Sequence, residues 1–250
     1  VNMVQLAAGA AYGEGRRQIT DGDVRWVTQI SNCQRHIQPK LPETPKAGVS
    51  VGLAVGNGGV GVAIEIECLV EPARSKGAGA LEVGGAVEYE ELELQGRRLG
   101  RKGTARTSAE NVLGAFQKNL GWDANAYDVR FNIPGGLPMD GPSAGIALAV
   151  ALMGAISGKA PIPKLALTGE ITVQGEVRPV GGVAEKLDAA IQGGAHTVLI
   201  PKANWEEAYA SLPCDVIPVE DIAQTLRLAF DIPYELTVTE GVIPLLYTTA

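Results

Sequence analysis

Apolar and polar positions alternate with three different textures along the chain. Residues 2 to 13 and 21 to 31 carry helical spacing, and the second run opens on "TDGD", where Thr20 is placed to cap and Asp23 to answer three residues on. "IQPKLPETPKAG" then puts Pro39, Pro42 and Pro45 at intervals of three, which suits an extended polyproline-like connector and excludes a helix. A domain boundary is placed near Gly48. Beyond it "SVGLAV" and "VGVAIEIECLV" read as strands joined by the turn "GNGG", and "GAVEYEELELQG" reads as another. In that last segment Val87 and Tyr89 share one register while Leu92 and Leu94 take the other, so a bulge is expected near Glu90 and Glu91.

From Thr104 the pattern alternates between the two periods. Helices are predicted at 104–120, 143–157, 182–193, 203–210 and 220–229; strands at 127–133, 164–168, 196–200 and 214–218; and a hairpin over 170–180. Such an order argues for a mixed α/β or α+β domain around one central core. The run "IALAVALMGAI" is apolar on every side, which makes its helix a buried one.

Composition narrows the classes of function. At 250 residues, 46% hydrophobic and 20% charged, the chain has length for one large core or two modest domains. Its net charge of −7 and the lack of a Lys/Arg cluster on one face argue against a nucleic-acid partner. The longest apolar stretch, Gly145 to Ile156, falls short of the roughly twenty residues of a membrane span, so no membrane partner is expected. The opening "VNMVQLAAGAAYGEGRR" does not read as a secretory signal. Cys33, Cys68 and Cys214 form no CxxC pair and fit a reducing compartment, as small buried hydrophobes. A cytoplasmic location is expected.

Candidate chemistry centres on "GGLPMDGPSAGIALAVALMG", residues 135 to 154. Pro142 suits a first helical turn, which places Ser143 at a helix N-terminus, where free N–H groups and the helix dipole favour an oxyanion or a phosphate. Gly141, Ala144 and Gly145 allow another backbone or a substrate to approach closely. On this stretch alone, a serine that merely caps a buried helix stands equally open. A nucleophile also needs a base. The two histidines, His36 beside the connector and His196 at the start of "HTVLIP", have no catalytic surroundings in the sequence. In "GGVAEKLDAAIQGG", Val183, Leu187, Ala190 and Ile191 define an inner face, and Lys186 lies on or beside it. Bringing such an amine from a pKa of about 10.4 to near neutrality takes roughly 4 kcal/mol, within what burial supplies. A neutral Lys186 would accept the serine proton; a lysine lying along the helix flank with its ammonium in water is the alternative.

Taken together, "MDGPSAG" with Ser143, "LALTGEITVQGEVRPVGGVAEKLDAA" with Thr168 and Lys186, and "GGAHTVLIPKAN" closely resemble the proteolytic domain of Lon proteases. Residues 48–235 carry the resemblance; residues 1–47 resemble the end of the helical subdomain that precedes this domain in Lon enzymes with a fused AAA+ ATPase, and 236–250 are left as a tail. The resemblance implies an α+β fold similar to the second domain of ribosomal protein S5, and a homo-hexameric ring enclosing a chamber. It implies a serine peptidase acting on unfolded or damaged proteins and peptides, with Ser143 as nucleophile, Lys186 as general base and Thr168 orienting the lysine. The backbone around Asp140, Gly141 and Pro142 would supply oxyanion donors or bind substrate, Asp140 also being placed as a helix N-cap. No metal ligand is assigned and no cofactor is expected in this chain. ATP with magnesium would enter only with an AAA+ module, for "GNGGVG" lacks the lysine of a GxxxxGK[ST] loop. The sequence fits equally a piece of a longer ATP-dependent Lon protease and a Lon-like protein without that module. Two other readings stay in view: a phosphate-binding domain like that of small-molecule kinases, which leaves Thr168 and Lys186 unexplained, and a non-enzymatic Lon-like scaffold, which would not need the Ser–Lys pair.

Overall fold

The computed structural model describes residues 3–30, 38–56, 59–75, 77–85, 89–94, 97–102, 104–133 and 141–232. The chain divides into two compact units, Val1–Ile37 and Gln38–Ala250. The first holds α1 (Met3–Gly13) and α2 (Asp21–Ile30), the two helices that the apolar spacing predicts. Thr20 and Asp23 form the expected reciprocal cap: the Thr20 N–H and hydroxyl both donate to the Asp23 carboxylate, at 2.7 and 2.8 Å. Arg16 adds a donation from its guanidinium at 2.7 Å.

In the larger unit a seven-stranded sheet has the order β11-β10-β7-β1-β2-β6-β3. Its strands are β1 (Val49–Val55), β2 (Gly61–Pro72), β3 (Leu81–Gly84), β6 (Tyr127–Asn132), β7 (Leu165–Leu167), β10 (Thr197–Pro201) and β11 (Asp215–Val219). Two small hairpins stand outside it, β4 (Tyr89–Leu94) with β5 (Arg97–Lys102) and β8 (Glu170–Ile171) with β9 (Val177–Arg178). β11, β10, β7 and β1 run parallel, β2 is antiparallel to β1 and to β6, and β3 returns parallel to β6. The fold is α+β, as the alternating pattern predicts. β3 and β5 escape that pattern because each is short and lies among glycines and charges.

Period-two alternation sends side chains to two cores. On one face, Val62, Ile64 and Ile66 of β2 with Leu165 and Leu167 of β7 meet α3 (Thr104–Leu120), α4 (Gly145–Ser157) and α6 (Ile222–Ala229). Val51 and Leu53 of β1, Ala166 and the β10 residues Val198 and Ile200 turn the other way, onto α5 (Val183–Gly193). α4 is buried from Gly145 to Gly154, as its all-round apolar sequence demands. Each fully buried large side chain along it, such as Leu148 or Leu152, contributes about 1.5–3 kcal/mol.

Three local expectations are corrected. No bulge interrupts β4, whose pairing with β5 runs unbroken from Tyr89 with Lys102 to Leu94 with Arg97. The stretch expected as a helix at 203–210 forms two 3-10 turns, Lys202–Asn204 and Glu207–Ser211, and Asn204 accepts from Val180 N–H at 2.8 Å instead of extending a helix. Likewise the helix expected from 143 begins as a 3-10 turn, Gly141–Ala144, before α4 proper. The proline-rich stretch 38–46 is neither helix nor strand, and it packs as part of the larger unit through buried Gln38 and Leu41. Cys68 is buried, which pushes its thiol pKa up to about 12, and Cys214 is half-buried; both are unpaired, while Cys33 and His36 lie outside the described residues. Among the described residues no helix is long and apolar enough to cross a membrane.

In the first unit, the Arg16 side chain, followed by the Thr20 N–H and hydroxyl, holds the Asp23 carboxyl well below the usual carboxylate range. A depressed carboxyl stabilises the fold above its unfolded pKa of about 3.9, and that contribution disappears as pH falls through the lower native value. Arg16→Ala is therefore expected to move the Asp23 titration, followed by carboxyl carbon NMR, toward the ordinary value and to bring acid loosening of α1 and α2 to higher pH. An unmoved midpoint contradicts this.

Candidate active site

Ser143 lies in the 3-10 turn that feeds α4, and only 3% of it is exposed. The Ser143 carbonyl accepts from Gly169 N–H at 2.9 Å, and the Gly169 carbonyl accepts from Ile146 N–H at 3.0 Å. Those two bonds weld the serine turn to the residues that follow β7. Gly145 makes the weld possible: a Cβ there would lie 2.4 Å from the Ile171 nitrogen and 3.0 Å from the Gly169 carbonyl. The small residues of the serine segment thus do admit another backbone, as expected from their size. Pro142, by contrast, is exposed in the same turn.

Thr168 is the residue immediately beyond the carboxyl end of β7. Its N–H donates to Leu199 of the neighbouring parallel strand at 3.1 Å, so the backbone is held by the sheet. The side chain is fully buried, and among the described residues its hydroxyl has no hydrogen-bond partner. A buried hydroxyl left in this way costs about 1–3 kcal/mol.

Lys186 projects from the second turn of α5 and is 1% exposed, among the largest fully buried side chains of the molecule. Of the two placements open from the sequence, the structure has the inward one. Its neighbours Val183, Leu187 and Ala190 pack into the second core, with Val51 and Leu53 of β1. The carbonyl of the preceding residue, Glu185, would be only 1.8 Å from a Cβ on Gly61, the first residue of β2. Gly61 in turn pairs with Val55 at the carboxyl end of β1. The turn of α5 that carries Lys186 therefore starts beside the carboxyl end of β1. Ser143 and Thr168 sit at that same end, with Gly52 of β1 paired to Leu167.

Asp140 lies outside the described residues, and Gly141 begins the 3-10 turn. His196 is exposed at the foot of β10, its N–H donating to the Lys164 carbonyl at 2.9 Å, remote in the strand direction from Thr168. Gly61 and Ser50 lie in the predicted strands without being singled out there, yet Gly61 seats α5, and the buried Ser50 hydroxyl donates to the Ala147 carbonyl at 2.8 Å and seats α4 on β1. Nothing in their local sequence marks either one, because their partners lie far along the chain.

A mixed sheet with helices on both faces, in which Ser143, Thr168 and Lys186 are each buried, defines an α+β domain. Residues 23–231 match the family described as Lon protease (S16) C-terminal proteolytic domain. Over 228 residues the chain is 39% identical to Lon protease 2 of Bacillus subtilis (strain 168), covering 90% of this chain and 41% of that protein. It is 34% identical over 230 residues to the Lon protease of Vibrio parahaemolyticus, covering 85% of this chain and 27% of that one. With the archaeal Lon protease of Pyrococcus abyssi it shares 30% over 244 residues, 91% of this chain and 23% of that one. The chain belongs to the Lon protease family, a family of peptidases, and spans well under half the length of these relatives.

Gly145→Ala tests the weld. The added Cβ has only backbone to displace, so a loss of about 1–3 kcal/mol is expected from chemical unfolding, together with loss of any activity that needs Ser143 in place. A variant as stable as the parent would mean that α4 and the β8 segment yield freely.

Proposed function

We propose that this chain is a serine endopeptidase in which Ser143 attacks and Lys186 acts as general base. The observation that carries the reading is the near-complete burial of Lys186 in the turn of α5 that starts beside the carboxyl end of β1. Burial strips the hydration that stabilises an ammonium ion, and so favours an amine able to take a proton. The Ser143 hydroxyl adds to the scissile carbonyl carbon as its proton passes to the Lys186 amine. Backbone N–H groups around Asp140, Gly141 and Pro142's neighbour Ser143 receive the oxyanion. Collapse breaks the C–N bond, Lys186 returns the proton to the departing amine, and an acyl-serine remains. Water then repeats the sequence, its proton going to Lys186 and the acid leaving as Ser143 is reprotonated. The uncommitted Thr168 hydroxyl suits a group that orients the lysine amine.

Ser143→Ala and Lys186→Ala are each expected to reduce peptide cleavage by at least about a thousandfold without unfolding the chain. The wild-type rate should rise with pH through the amine's pKa, since only the neutral form accepts a proton. Substantial turnover by folded Lys186→Ala sinks the assignment.

The substrates proposed are peptides and unfolded or damaged proteins, as in protein quality control, with a homo-hexameric ring, in the cytoplasm, as the working assembly. Cleavage by these 250 residues should need no ATP, since the proton transfers above consume none and no GxxxxGK[ST] loop occurs in them. Spontaneous opening of a domain stable by ~5–15 kcal/mol offers only a minute population to the site. Unfolded, reduced lactalbumin should therefore be degraded equally with and without ATP, while a tightly folded protein of similar size survives both. ATP-stimulated loss of the folded protein by this chain alone rules the proposal out.

A further inference from the structure

Among the described residues, the first half of β2 has no strand beside it on the side away from β1. Gly56 N–H donates to the Val60 carbonyl at 2.8 Å and Cys68 N–H to the Gly48 carbonyl at 2.7 Å, so the even-numbered residues of β2 direct their backbone groups toward β1. The odd-numbered ones face the other way, where β6 takes them up only from Glu67 onward. At Gly61 and Ala63 that edge is occupied by a side chain. The Gln38 amide donates through Nε2 to the Gly61 carbonyl and accepts through Oε1 from Ala63 N–H at 3.3 Å. Gln38 is itself 7% exposed. One side-chain amide thus does for two backbone groups what a neighbouring strand would do.

Two facts make this more than edge protection. Gly61 is the seat of α5, its α-carbon lying so close to the Glu185 carbonyl that no side chain fits between them, and Lys186 is the next residue. The residues after Gln38 fasten the other end of the same helix. Leu41 N–H donates to the Gly193 carbonyl at 2.9 Å, the Lys40 ammonium to the Gln192 carbonyl at 3.1 Å, and the Leu41 side chain is buried in the core that α5 covers. Residues 38–41 therefore grip α5 at its end and, through Gly61, support the turn that carries Glu185 and Lys186.

We infer that Gln38 is a positioning residue of the peptidase site, holding the strand on which the Lys186 turn rests; the inference builds on the role proposed above for Lys186. Gln38 touches neither substrate nor reacting atoms and acts through Gly61. Its loss should let the Lys186 turn lift and admit water. A hydrated amine holds its proton more tightly, so the rising limb of the rate profile should move to higher pH. Misplacing a catalytic group by a fraction of an ångström should lower kcat while leaving substrate binding nearly intact.

Gln38→Met keeps length and burial but neither hydrogen bond; Gln38→Glu keeps the acceptor for Ala63 and sets a carboxylate against the Gly61 carbonyl. In the whole chain, each is expected to lower kcat about tenfold with KM within about twofold and to shift the rising limb to higher pH. Amide exchange at residues 185–188 should be faster and that of α4 unchanged. Should the Met variant fail to fold, the Glu variant carries the same readouts. Unchanged exchange at residues 185–188 overturns the seat, and faster exchange with wild-type kcat and pH profile overturns the catalytic role. Full turnover by folded Lys186→Ala overturns the dyad, and with it the role of Gln38, by a separate measurement.

Discussion

A helix with no polar side forces the arrangement of the larger unit. α4 is buried from Gly145 to Gly154, so it must be covered by the sheet beneath it and by α3 and α6 around it. Nothing about its own composition selects a direction, since every face is equally apolar. Direction comes from its polar and small contacts: the Ser50 hydroxyl on the Ala147 carbonyl, and Gly145 against the backbone of Gly169 and Ile171. With α4 anchored in this way, the turn that leads into it has nowhere to go but the end of β7. The backbone of Ser143 is held there by the bond from Gly169 N–H to its carbonyl.

The opposite face solves a different problem. α5 is amphipathic, and a lysine on its inner face would ordinarily be expelled to water. Here Lys186 stays 1% exposed because Val183, Leu187 and Ala190 on the same face are committed to the second core. Turning the helix to release the lysine would expose those residues. The close approach of the Glu185 carbonyl to Gly61 leaves no room for a compromise. Burial of a potential charge is thus enforced by apolar neighbours on both flanks, and the cost is carried by the core as a whole.

Ser143 precedes a helix on one face of the sheet and Lys186 belongs to a helix on the other. Crossover connections in a parallel sheet bring loops and helix starts to the carboxyl ends of strands. Thr168 follows directly on β7, and its backbone is held by β10. The serine turn is bonded to the next residue, Gly169, so Ser143 and Thr168 share one support while Lys186 has its own in α5.

Much of this was readable along the chain. Helix and strand periods locate α1 to α6 and the longer strands, the reciprocal cap of Thr20 and Asp23 was visible as a spacing, and the motif order around Ser143, Thr168 and Lys186 pointed to the family. These features are local, or are carried by short stretches whose residue types suffice. What the sequence left open was decided by contacts between residues far apart. Whether Lys186 points inward depended on Val51, Leu53 and Gly61, more than a hundred positions away. The start of α4 tightened into a 3-10 turn, and the helix expected at 203–210 broke into two such turns tied to Val180 through Asn204. Gln38 read as the edge of a connector, yet its amide completes the edge of β2. Periodicity reports which face of an element is apolar; only tertiary packing determines what that face is pressed against, and at these positions the partner sets the chemistry.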